Sequence, residues 1–165
     1  MPIPEFITSL RSRIGTDLLW LPGVTAVVLH PDGRVLLGRR SDTGHWALIS
    51  GILEPGEDPA VGLAREVLEE TGVEVTVETL ASVVASDVVT YPNGDRAMYL
   101  DHTFVCRPVS AASADGAHVA DDESLDVGWF ELGDLPDDLQ QTSRDRLGHA
   151  VRALTEPDRG TYFVR

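Results

Sequence analysis

Gly51-Ile-Leu-Glu-Pro-Gly56-Glu57-Asp58-Pro59-Ala-Val-Gly-Leu63-Ala-Arg65-Glu66-Val67-Leu-Glu69-Glu70-Thr-Gly72-Val73 is the stretch from which the rest of the chain can be read. Asp58 suits an N-cap, and Pro59 suits the first helical position, where its missing N–H costs nothing. Gly72 supplies the left-handed stop. A helix of about three turns is therefore predicted over residues 59–71. Ala60, Leu63, Ala64, Val67 and Thr71 share one stripe of it, the side expected to face a core. Glu66, Glu69 and Glu70 fall within an arc of roughly 100° on the other side.

Three carboxylates crowded on one helix call for an explanation. Glu66 and Glu70 form an i,i+4 like-charge pair, which costs an isolated helix about 0.2–0.5 kcal/mol. Arg65 relieves part of this by reaching Glu69, four residues on. A divalent cation would relieve all of it, and oxygen ligands without sulfur or imidazole suit a hard ion such as Mg²⁺, Mn²⁺ or Ca²⁺. A solvated acidic helix face is the plain alternative.

The spacing decides between them. Gly51 is followed after five residues by Glu57, and after seven more by Arg65-Glu66-Val67-x-Glu69-Glu70-x-Gly72-Val73. Over these 23 residues the chain resembles the signature of the Nudix hydrolases at every fixed position. The resemblance implies an α/β/α sandwich with a mixed sheet between helices, extending over roughly residues 22–155. It also implies a metal-dependent hydrolase that cleaves a diphosphate linkage in a nucleoside diphosphate derivative. Carried over residue by residue, it makes Glu66, Glu69 and Glu70 metal ligands, with either Glu66 or Glu70 taking the first ion. The Gly51 carbonyl is a further ligand, with Mg²⁺ the expected ion and Mn²⁺ the alternative. Glu57 supports the ligands or a second metal, and Arg65 orients the glutamates through a salt bridge. Family members often take the general base from outside the signature. Asp121-Asp122-Glu123 is the candidate stretch here, with Glu123 the choice and a solvated acidic loop the alternative. One departure concerns Ile49-Ser50, where many members carry a glycine just before the first fixed position.

Composition frames these expectations. The chain has 165 residues, enough for one domain with a core, and 42% are hydrophobic, which argues against disorder. A formal net charge of −14 argues against general affinity for nucleic acid or an anionic membrane. An anionic substrate would then need local cations, and Arg39 or Arg40 could bind its phosphate. The single cysteine, Cys106, allows no internal disulfide and reads as a buried small hydrophobe. No apolar run approaches a membrane span and no leader pattern opens the chain, so a cytoplasmic location is expected.

Outside the signature, residues 4–19 carry Phe6, Ile7, Leu10 and Ile14 at helical spacing, interrupted near Gly15. Residues 1–20 are read as a helical extension that caps the core or supports a homodimer, and residues 21–165 as the single catalytic domain. A β-branched run at 24–30, the turn Pro31-Asp32-Gly33 and a run at 34–40 predict a hairpin. A short strand at 45–49 delivers Gly51. Residues 73–77, 80–89 and 96–105 read as strands, the last two joined by a turn at Tyr91-Pro92-Asn93-Gly94-Asp95 with both Asn93 and Gly94 at positive φ. Residues 108–120 read as a flexible loop and candidate lid, 125–130 as a strand, and Ser143 as the cap of a helix through about 154.

Substrate choice lies outside the signature. Tyr91 and Pro92 sit where some dinucleoside polyphosphate and ADP-ribose enzymes of the family carry a tyrosine or proline, but the hairpin turn already accounts for both. A nucleoside triphosphate or related small nucleotide is favoured. Two other classes share the fold. A non-catalytic nucleotide- or ADP-ribose-sensing module usually has a degraded signature, whereas this one is intact. An isopentenyl diphosphate isomerase needs a cysteine upstream of the signature, whereas Cys106 lies downstream.

Overall fold

The computed structural model describes residues 4–164; residues 1–3 and 165 of the spans expected above lie outside them. Helix α1 (Glu5–Ile14) leads into strand β1 (Leu19–Val28). Then come β2 (Val35–Arg40), β3 (Trp46–Ala47), β4 (Ile49–Ile52), helix α2 (Pro59–Thr71), β5 (Val75–Ala85), β6 (Val89–Thr90) and β7 (Arg96–Pro108). A short helix α3 (Ala111–Asp115), strand β8 (Ser124–Phe130), helix α4 (Gln141–Thr155) and a 3-10 turn (Pro157–Arg159) complete the order.

The strands form two sheets. The larger runs β4-β1-β7-β5, with β6 added on β7, and the smaller runs β3-β2-β8. β1 lies parallel to β7, and the other pairings are antiparallel, so the larger sheet is mixed as expected.

Alternation along β1 divides the core. Val24, Ala26 and Val28 pack with Leu63 and Val67 of α2, while Val27 and Leu29 pack with Leu147 and Ala150 of α4. β2 divides in the same way: Leu36 joins the α2 side, and Val35 and Leu37 join the α4 side. Helices thus cover both faces, giving the α/β/α sandwich. A third, smaller cluster seats Ile7 of α1 on Leu19, Leu21 and Ala97.

Several local expectations are corrected. β1 and β2 do not pair as a hairpin: after the bridge Leu29–Val35 and the bond from His30 N to Arg34 O (2.8 Å), they diverge into different sheets. Burial of both faces of β2 outweighs the local turn. The helix at the N-terminus ends at Ile14, before a Gly15 with φ +59°, where the interruption was expected, and residues from Leu19 belong to β1 instead. At the turn after β6 only Gly94 is left-handed (φ +86°); Asn93 is not, because the loop closes through Tyr91 N to Asp95 O (2.9 Å). Strands 73–77 and 80–89 give instead one strand, β5, with bulges between Val77 and Thr79 and between Leu80 and Ser82, followed by the separate short β6.

The lid expected at 108–120 is tied down. Ser110 caps α3, His118 N donates to Thr71 O (3.0 Å), Ala120 N donates to Glu70 O (3.1 Å), and the Trp129 indole donates to Ala114 O (3.0 Å). Ser143 is no cap either. It lies buried in the first turn of α4, where its hydroxyl accepts from Leu48 N (3.0 Å) and fixes the chain between β3 and β4.

Candidate active site

Helix α2 has the predicted ends, with Asp58 at the N-cap and Gly72 left-handed at φ +69°. Antiparallel pairing of β4 with β1 sets Gly51 opposite Val24. The Glu66 carboxyl presses against Gly51 so closely that a β-carbon there would collide with it. Only glycine lets the strand and the glutamate share this space.

The glutamates are not equivalent. Glu66 and Glu70 are buried, at 3% and 7% exposure, whereas Glu69 is exposed. The helical arc that groups them on one polar side does not foresee this split, because tertiary packing encloses two of the three. Burial pushes the Glu66 carboxyl up to about 7, and Arg65 offsets only part of that. Burial, aided by the charges of Glu123 and Glu66, pushes Glu70 up to about 8.

Arg65 stands among the carboxylates. Its Nε and Nη2 donate to both oxygens of Glu57 at 2.8 and 2.9 Å, and its Nη1 lies 3.1 Å from both Glu69 Oε2 and Glu66 Oε1. Glu57 also accepts from Glu54 N (3.0 Å), and the Arg65 guanidinium holds its carboxyl below the ordinary range.

Arg39 and Arg40 part company at a bulge. Arg39 pairs with Asp126 and Arg40 with Ser124, so Leu125 is the extra residue. Arg39 is exposed, with Nε on Gly44 O (2.8 Å). Arg40 turns towards the glutamates, in the field of Glu70 and Glu123, while its Nε and Nη2 hold Asp42 at 2.9 and 2.7 Å. Glu123 sits just before β8, its carbonyl accepting from Ser41 N (2.8 Å).

A cleft of about 670 Å³ opens here. Of the expected site residues, Gly51, Glu66, Glu123 and Arg40 line it; Glu57, Arg65, Glu69, Glu70 and Arg39 stand outside its lining. Its far wall brings together Leu19, Leu21, Ala97, Tyr91 and Tyr99, and its floor holds Asp101 and Arg146. The two tyrosine hydroxyls are hydrogen-bonded at 2.5 Å. Tyr99, Asp101 and Arg146 escaped the sequence reading. The one signal was a charged residue, Asp101, in the middle of an otherwise strand-like run.

The donors suit a hard cation. Two buried carboxylates close together need more opposite charge than Arg65 and Arg40 supply, and the ligating atoms on offer are carboxylate and carbonyl oxygens. Among the described residues no three His, Cys, Asp or Glu side chains already converge as a closed metal cage. The fit therefore rests on Glu66, Glu70 and the backbone beside them.

A mixed α/β/α sandwich with such a glutamate cluster at the mouth of a cleft defines a class of hydrolases. The family model for the NUDIX domain matches residues 19–150. A MutT-like protein from Streptomyces ambofaciens is 35% identical over 142 residues, 86% of this chain and 80% of that protein. An RNA pyrophosphohydrolase from Rickettsia rickettsii (strain Sheila Smith) is 40% identical over 66 residues, 39% of this chain; the match spans 41% of that enzyme's length. The crystal structure of a MutT NUDIX hydrolase from Burkholderia pseudomallei superposes with a TM-score of 0.64 at 28% identity, covering 79% of this chain and 97% of that one. The chain belongs to the NUDIX family, and its enzyme class is that of the Nudix pyrophosphohydrolases.

Proposed function

We propose that this protein hydrolyses a diphosphate linkage in a small nucleotide, with nucleoside triphosphates favoured, by attack of water on phosphorus with Mg²⁺ or Mn²⁺ as cofactor. The observation that carries the reading is the burial of Glu66 against Gly51 in the cleft lining, with buried Glu70 close enough to feel its charge. Glu66, Glu70 and the Gly51 carbonyl would hold the ion, with Glu69 joining from the helix surface. When bound, the ion neutralises the phosphate oxygens and the charge that develops on them. Arg65 keeps Glu57, Glu66 and Glu69 in place. Arg40 donates hydrogen bonds to phosphate in exchange for Asp42. Glu123 accepts the proton of the attacking water.

Catalysis of this kind is positioning and electrostatics. The RNA-directed name belongs to relatives matched over 66 residues, and a net charge of −14 favours free nucleotides over a polyanionic strand. The test is phosphate and pyrophosphate release from triphosphates, dinucleoside polyphosphates, ADP-ribose and nucleotide sugars, with Mg²⁺ and with EDTA. Metal-dependent turnover of one class is expected. Binding without turnover in every case would replace the enzyme reading with a sensing module.

A further inference from the structure

The floor of the cleft is built around one ion pair. Asp101 is 5% exposed, and every acceptor direction it uses is filled from within: Thr25 Oγ1 donates to Oδ1 (2.7 Å), while Thr103 Oγ1 and Arg146 Nε donate to Oδ2 (both 2.9 Å). Arg146 is held by that single bond. Among the described residues no acceptor takes its Nη1 or Nη2, and the side chain lines the cleft. Asp101 thus fixes the guanidinium and offsets its charge, and the two terminal N–H groups remain as parallel donors on a side chain that lines the cleft.

Position says what that occupant is. Register sets Ile52 of β4 across from Gly23 of β1, and Gly23 across from Asp101 of β7. Asp101 therefore lies two strand spacings, about 10 Å, from the strand that carries Gly51. That is the scale of the reach from the phosphorus nearest the ribose to the far edge of a purine. Beside Arg146 the walls are Leu21, Ala97 and the Tyr91–Tyr99 pair, fit for a flat ring and poor for phosphate. Arg40 already serves the phosphate end. A charge-neutralised guanidinium favours neutral acceptors over a polyanion, and two parallel donors match the O6 and N7 acceptors of a 6-oxopurine. Adenine sets an amino donor where O6 would be.

We infer that Arg146 is a specificity-determining residue that reads the O6/N7 edge of the base, so that guanine and hypoxanthine nucleotides are preferred to adenine ones. The inference rests on the nucleotide-hydrolase reading above and adds the base.

The experiment is kcat/KM for GTP, ITP and ATP, measured with the wild-type chain and with Arg146→Lys. Lysine keeps a cation for Asp101 but lacks the planar fork, and thermal melting establishes that the variant is folded. Wild type should prefer GTP and ITP to ATP by at least about tenfold. Arg146→Lys should lose that preference through GTP and ITP while ATP stays nearly unchanged. Equal use of ATP and GTP by the wild type overturns the inference, even if the variant fails to fold. ITP behaving like ATP overturns it too, as does an equal loss for all three substrates in a folded variant, which would put Arg146 on phosphate. Hydrolysis without a base preference defeats this inference alone. No hydrolysis of any of the three overturns this inference together with the preference for triphosphates, and the wider substrate panel then decides the nucleotide reading.

Discussion

Glu70 shows how far a residue's chemistry depends on its surroundings. In an unfolded chain its carboxyl has the ordinary value of 4.5; in the fold it is pushed up to about 8, and Glu66 up to about 7. Between these values the folded state binds more protons than the unfolded one, so stability falls as pH rises. The contribution of the two protonated carboxyls is fully present below about 4.5 and is lost through about 7 and 8. In EDTA the melting temperature should therefore decline from pH 5 to pH 9, and millimolar Mg²⁺ should offset the decline because it binds the ionised pair in the folded state. A flat profile would mean that both carboxyls ionise as they do in water. Glu70→Gln tests the same residue from the side of function. Turnover should drop by at least about 10²-fold, while the metal-free variant melts no lower than wild type at pH 9. Near-full activity would remove Glu70 from the site. At this scale the spacing in the sequence points to the right residues, because the offsets are covalent. It does not separate buried Glu66 and Glu70 from exposed Glu69, because that difference comes from β4 and from the chain around Glu123.

At the scale of elements, legibility follows locality. Helix α2 is readable to its ends because Pro59 at the first helical position and left-handed Gly72 act locally, while Asp58 stands at the N-cap without a side-chain bond to the helix. Ser143 reads as a cap by the same local logic, yet its hydroxyl is used by Leu48, 95 residues away in sequence. Residues 108–120 look loose from their Ser, Ala and Gly content, and what anchors them are main-chain bonds to the end of α2 that composition does not record. Gly72 joins the two: it is left-handed, and a β-carbon there would run into the His118 ring. Gly72→Ala should cost about 1–3 kcal/mol, read as a lower urea midpoint at unchanged slope. No change in midpoint would show that the helix end and the His118 segment shift freely.

For the whole molecule, the α/β/α class was legible, since β-rich runs alternate with one strongly marked helix. The division into two sheets was not, because it depends on which strands find partners across long stretches of chain. The Asp101–Arg146 pair escaped for the same reason: its members lie 45 residues apart, each unremarkable alone. Cys106 reports on the integrity of this assembly. It is fully buried in the α2-side core, and burial pushes its thiol up to about 12. A disulfide exchange reagent at pH 8 should leave it unmodified in the native protein and label it fully in denaturant. Fast native labelling would mean that β7 opens readily.

The parallel pairing of β1 with β7 also bears on how the protein is made. Leu19 meets Ala97, and Val28 meets Cys106, so the partner of β1 emerges from the ribosome about eighty residues later. At ordinary synthesis rates of about 5–20 residues per second, an apolar strand waits seconds with one edge bare. The nascent chain is thus most in need of a chaperone after its glutamate helix has been synthesised and before β7 arrives.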